Sequence, residues 1–159
     1  MLTERLAVAC LRVFLVLLFA LLVVFQTLSI PGQFEHMART NPEGAAQRWP
    51  LTILGVLLVL CAQVVVVATW KLLTLVSQDR IFTDAALRWV DAIVWAIGAC
   101  WLLVSGFFTW VVLRADDPGG PMLFLLVTLG VTVVGLLMVV MRALLRKATA
   151  LRTDLDSVI

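Results

Sequence analysis

The chain has 159 residues, of which 63% are hydrophobic and 14% charged, and its formal net charge is +2. A soluble domain carries roughly half apolar and about a quarter charged residues, so this composition excludes one and places the chain in a lipid bilayer. Near-balanced charge, with the basic residues spread along the chain, also argues against direct recognition of nucleic acid. No Ser/Gly linker or low-complexity tract marks a second domain, so a single integral-membrane domain over residues 1–159 is expected.

The first predicted helix covers about residues 6–30. After a charged entry with Arg5 and Arg12, an apolar run from Val13 to Val24 continues through Gln26 and Thr27 to Ile30, about the length that crosses a bilayer core. Ile30-Pro31-Gly32 reads as a helix stop and not as a signal-peptide cleavage site, so the helix is expected to be retained. Arg12, Phe19 and Gln26 share one face, expected to turn toward other helices.

Pro31 to Pro50 is the longest polar segment. Phe34, Met37 and Ala38 recur at helical spacing within it, which predicts a short interfacial helix, with Trp49 as a headgroup anchor. His36, the single histidine, has Glu35 and Glu43 nearby. One imidazole with two loop carboxylates lacks the converging donors of a metal site, so a solvated histidine is expected. Cys10, Cys61 and Cys100 all sit in apolar runs as small hydrophobes, and neither a disulfide nor a metal nor a cofactor is expected. Nothing in the pattern supplies acid–base or nucleophilic chemistry, so no enzymatic activity is expected.

The second predicted helix covers residues 51–76 and carries Gln63, Val67 and Lys71 on one stripe. A polar hinge, Ser77 to Asp84, leads to the third, residues 84–113. Thr83 is its expected N-cap, and Asp84 lies in the first turn, where the helix dipole favours negative charge. Asp84, Arg88 and Asp91 form a ladder continued by Trp95 and Gly98, while Ala92, Ala96 and Cys100 form a small-residue face suited to close approach. Gln63, Lys71, Arg88 and Asp91 constitute a candidate intramembrane polar site, because a charge at mid-membrane costs about 2.5–3.5 kcal/mol on insertion scales. Asp91 is expected to pair with Arg88 in preference to Lys71, which would have to reach inward against its tendency to snorkel.

The turn from Arg114 to Pro121 holds Asp116 and Asp117, which are expected to bond their own backbone and which fall short of a calcium ligand set. The fourth predicted helix, residues 122–147, includes the uncharged run Met122–Met141, with Thr128, Thr132 and Gly135 as a packing stripe. Beyond it Leu144, Ala148, Leu151, Leu155 and Val158 keep helical spacing. Arg146, Lys147 and Arg152 are placed to meet anionic lipid, and the acidic end, Asp154 and Asp156, is expected to fray. The fold predicted is all-α: a four-transmembrane-helix bundle with a short amphipathic cytoplasmic C-terminal extension.

With four spans both termini share a side, which groups Arg5, Arg12, Lys71, Arg80, Arg88, Arg142, Arg146, Lys147 and Arg152 against Arg39, Arg48 and Arg114. That asymmetry predicts that both termini and the hinge lie in the cytoplasm.

The four helices, the hinge followed by Ile81-Phe82-Thr83, and the ending Asp154-Leu155-Asp156-Ser157-Val158-Ile159 resemble a family of bacterial integral-membrane proteins known as domain of unknown function 2975. In this chain the Phe-Thr pair is followed by Asp84-Ala85-Ala86-Leu87-Arg88, where many members carry Glu and Asn. The resemblance implies no activity and no catalytic residues. Members are often encoded beside a small helix-turn-helix regulator, which implies a membrane partner for a cytoplasmic protein. The expected function is therefore a non-enzymatic membrane partner or sensor, with Arg80, Phe82, Thr83 and Asp84 of the hinge and Arg146, Lys147 and Arg152 of the tail as its candidate partner surface. The alternative is a small transporter, channel subunit or proton-linked sensor using Asp91, and assembly with further copies of the chain is compatible with either.

Overall fold

Each long apolar run forms a helix, because a helix satisfies its own backbone donors and acceptors where no water is present to do so. The computed structural model describes residues 2–40, 48–78, 80, 82–114 and 119–158. Among the described residues, four helical stretches are long and apolar enough to cross a membrane: Leu6–Gln33, Trp49–Ser77, Asp84–Val112 and Pro121–Val158. No strand occurs among the described residues. At most 17% of the most apolar window in any of these stretches is buried inside the chain, so most of the apolar surface faces outward, as a bilayer requires. The chain is an all-α membrane protein with four spans. Its contacts divide it into two compact units, Met1–Trp70 and Lys71–Ile159.

In the first unit, helix α1 (Leu2–Val24) passes into a π-helical turn (Phe25–Ser29) and directly into α2 (Ile30–Thr40). The expected stop at Pro31-Gly32 therefore does not occur. Proline lacks the N–H that an α-helix would use at that point, and the π turn adjusts the ladder just before it. Ile30 N–H reaches back five residues to the Phe25 carbonyl, and the Thr27 hydroxyl donates to the Val23 carbonyl at 2.9 Å. The expected interfacial helix is thus the continuation of the first span, and within it Arg39 pairs with Glu35 at 2.6 Å. The side chains of Phe34, Met37 and Ala38, and residues 41–47 with Glu43, lie outside the described ones. His36 is exposed.

Helix α3 (Arg48–Ser77) begins in this unit. Leu15 of α1 and Val66 of α3 are buried. Together with Phe19, Val67 and Trp70 they line an apolar groove of about 310 Å³. The Arg12 guanidinium sits 5.8 Å from the Trp70 ring centroid, which gives that cation a partner on the inward face predicted for it.

The second unit is built on an antiparallel pair, α4 (Asp84–Val112) and α5 (Gly119–Val158), joined by a turn whose residues 115–118, including Asp116 and Asp117, lie outside the described ones. Buried positions on α4 run Ala86, Val90, Ile93, Ala96 and Val104, a single helical stripe that includes the predicted small residue Ala96. Phe124, Thr128, Thr132, Gly135, Met138, Arg142, Leu145 and Thr149 form the partly or fully buried line on α5. Steps of three and four along it are those of a helix packed on one neighbour. The predicted stripe of Thr128, Thr132 and Gly135 is this packing face. Trp101 Nε1 donates to the Thr132 hydroxyl at 2.7 Å, and a Cβ built on Gly135 would lie 3.2 Å from Ile97 Cγ2, so only glycine admits that approach without displacing its neighbour. At the turn end, Phe107 meets Phe124 edge-on with centroids 5.1 Å apart, and Arg114 lies 4.9 Å from the Trp110 ring centroid.

Candidate functional site at the membrane boundary

Helix length sets the depth of the polar residues. From Ala92 to Leu113 on α4 and from Met122 to Met141 on α5 there is no charge. Asp91 and Trp110 are separated by about 29 Å along the helix at 1.5 Å per residue, close to the ~30 Å thickness of a hydrocarbon core. Trp110 and Arg114 then form an aromatic and basic rim at one boundary, and Asp91 with Arg142 stands at the other. The α4–α5 hairpin continues past that second boundary, by about 10 Å on α4 and about 24 Å on α5.

Asp91 is paired, but not with the residue expected. Arg142 Nε lies 2.5 Å from Asp91 Oδ1, with both side chains about one-third exposed. The pair is close in distance without the alignment of a hydrogen bond, so its attraction is chiefly Coulombic. Arg88 is exposed and makes no ion pair among the described residues. It lies on the same helix as Asp91, whereas α5 brings Arg142 alongside from across the hairpin. A signal for this pairing was present: counting outward from the turn at Arg114–Pro121 by nearly equal numbers reaches both Asp91 and Arg142. The same register pairs Trp101 with Thr132 and Phe107 with Phe124.

The other members of the predicted polar site are not gathered there. Lys71 is exposed and has no ion pair among the described residues. Gln63, in the first unit, is half-buried and makes no side-chain hydrogen bond among the described residues.

The hinge is shaped by local bonds. Gln78 and Arg80 N–H both return to the Leu75 carbonyl, at 3.2 and 2.9 Å, and close the end of α3. Thr83 occupies the N-cap position with an extended backbone, and its carbonyl accepts from Ala86 and Leu87. Its hydroxyl does not cap the helix as expected but donates to the Arg80 carbonyl at 2.7 Å, bracing the hinge instead. Asp84 and Arg80 are exposed.

Across the hairpin, the Arg152 guanidinium lies 5.5 Å from the Phe82 ring centroid. Hinge and tail, predicted as separate parts of one partner surface, are therefore in contact. α5 extends to Val158, so the fourth span, expected to end near 147, runs unbroken into the helical tail that the spacing of Leu144, Ala148, Leu151, Leu155 and Val158 predicts. Of the predicted apolar stripe on it, Ala148 is half-buried beside the buried Thr149, whereas Leu144, Leu151, Leu155 and Val158 are exposed. Packing on α4 uses a line one step round the helix from that stripe.

The fold and this boundary site define a polytopic α-helical membrane protein. Residues 32–159 match the family described as protein of unknown function DUF2975, and the chain belongs to that family. The match begins after most of the first span, so it is shorter than the nearly full-length resemblance read from the sequence. No curated protein and no solved structure matches the chain.

Proposed function

We propose that the protein is a non-enzymatic membrane partner or sensor for a cytoplasmic protein such as a helix-turn-helix regulator, engaged by the end of the α4–α5 hairpin. The observation that carries this reading is the contact of Arg152 with Phe82, which joins hinge and tail into one exposed surface. Leu151, Leu155 and Val158 extend that surface as apolar positions uncovered by the chain itself. Clustered exposed apolar groups rimmed by charge are what a protein-binding face requires. The bias of basic residues toward the side of the termini supports a bacterial cytoplasmic membrane with this surface inside the cell.

A second reading, a small transporter or proton-linked sensor using Asp91, has its support in the unaligned carboxylate oxygen at the membrane boundary. The neutralising Arg142 beside it weighs against that reading, since a paired boundary carboxylate serves to lock the hairpin. Photoreactive residues placed at Phe82 and at Leu155, with lipid-facing Leu126 as control, separate the two in native membranes. Capture of one and the same cytoplasmic polypeptide from both positions, and not from Leu126, is expected. Capture of lipid alone, together with a proton or ion flux in liposomes that Asp91→Asn abolishes, would replace the partner reading with the second.

A further inference from the structure

Arg142, Arg146 and Lys147 share one side of α5 with Val139, Ala143 and Ala150, and the six line an open groove of about 380 Å³. Of these three cations only Arg142 has an ionic partner among the described residues, Asp91 at its Nε. Arg146 and Lys147 are exposed and have no hydrogen-bond or ion-pair partner among the described residues. The surface of the groove itself is chiefly apolar, made by the alanines, Val139 and the stems of the basic side chains, and the three cations rim it. Like charges one turn apart on a helix repel, and an anion held between them relieves that repulsion.

Depth identifies the anion. Arg142 stands at the membrane boundary, and Arg146 and Lys147 lie about 6–8 Å beyond it along the helix, at the level of lipid phosphates. Below them the wall turns apolar at Val139, and exposed Leu136 and Val140 continue into the hydrocarbon. Ala143 and Ala150 leave the space between the cations open. A guanidinium offers paired donors that match phosphate oxygens, and basic recesses beside membrane helices suit lipid headgroups.

We propose that this groove is a binding site for an anionic phospholipid, its phosphate held by Arg142, Arg146 and Lys147 and its acyl chains lying along α5 past Val139. The site is distinct from the Phe82–Arg152 surface and does not depend on a protein partner.

The test uses the full chain purified in mixed micelles of phosphatidylglycerol and phosphatidylcholine, with bound lipid counted by native mass spectrometry. Phosphatidylglycerol is expected to be retained preferentially. Ala143→Trp fills the groove without altering charge and is expected to weaken retention about tenfold, equivalent to about 1.4 kcal/mol. R146Q/K147Q should do the same, whereas R80Q/R88Q, an equal loss of charge away from the groove, should leave retention unchanged. Equal loss in R80Q/R88Q, or normal retention in Ala143→Trp, overturns the proposal. Displacement of the lipid by glycerol 3-phosphate or inorganic phosphate at matched concentration also overturns it, since the site would then serve a soluble anion. If R146Q/K147Q fails to insert, the charge-preserving Ala143→Trp decides alone.

Discussion

At the scale of residues, the contact that ties α4 to α5 at the boundary is the Asp91–Arg142 pair. Both side chains are more than a third exposed, so solvent and salt screen much of their attraction. Thermal unfolding of Asp91→Asn, Arg142→Gln and the double variant in detergent should yield a coupling of about 0.5–1 kcal/mol that shrinks as salt rises. Arg88→Gln should change stability by less than about 0.5 kcal/mol, because nothing described holds that side chain. A coupling of Asp91 to Arg88 larger than that to Arg142 would contradict the pairing.

Helix packing at the element scale depends on the line of small and hydroxyl residues along α5. Each threonine on it satisfies its hydroxyl within the helix: Thr128 donates to the Phe124 carbonyl, Thr132 to that of Thr128 and Thr149 to that of Leu145. These bonds leave the face apolar in effect, and Gly135 sets how near Ile97 can come. Gly135→Leu should destabilise the hairpin by about 1–3 kcal/mol through overpacking, with Gly135→Ala costing less because Ile97 can yield slightly. A Gly135→Leu protein as stable as the natural chain in a denaturant titration would show that the helices do not meet there.

The end of α5 belongs to the same scale. Truncation after Lys147 removes buried Thr149 and the Arg152–Phe82 contact. Insertion should persist, because the charge-free Met122–Met141 run and Arg142, Arg146 and Lys147 remain. Stability should fall by about 1 kcal/mol, in keeping with the loss of an exposed cation–π contact and a little packing. Spin labels along the tail should be immobile at Thr149 and mobile at Leu151 and Leu155; uniform mobility from Arg142 onward would mean that the tail does not pack.

For the whole molecule, the deciding property is orientation. Four spans and the concentration of basic residues on the side of the termini predict that a cysteine at Gln78 is shielded from a membrane-impermeant reagent in intact cells. A cysteine at Ala45, on the opposite side, should react. Reversal of that pattern would move the boundary groove and the Phe82–Arg152 surface to the outside of the cell and remove the cytoplasmic partner with them.

Amino-acid order alone determined the class of protein, the number of spans and the helical phase of the tail, because each depends on local runs of apolar residues and on backbone bonding within one segment. Hydropathy also located the boundary charges, since the uncharged stretches on α4 and α5 end at Asp91 and Arg142. What only the tertiary structure decided was which neighbour each face would meet. Asp91 could be matched to Arg88 by spacing along one helix, but an antiparallel register set Arg142 beside it, and contacts across a hairpin depend on how two helices dock. For the same reason the tail's leucine stripe was legible as a stripe, while its exposure was not: α4 took the adjacent line through Arg142, Leu145 and Thr149. Pro31-Gly32 read as a stop because local propensity disfavours helix there, and a π turn beginning six residues earlier relieved the missing donor and carried the helix through.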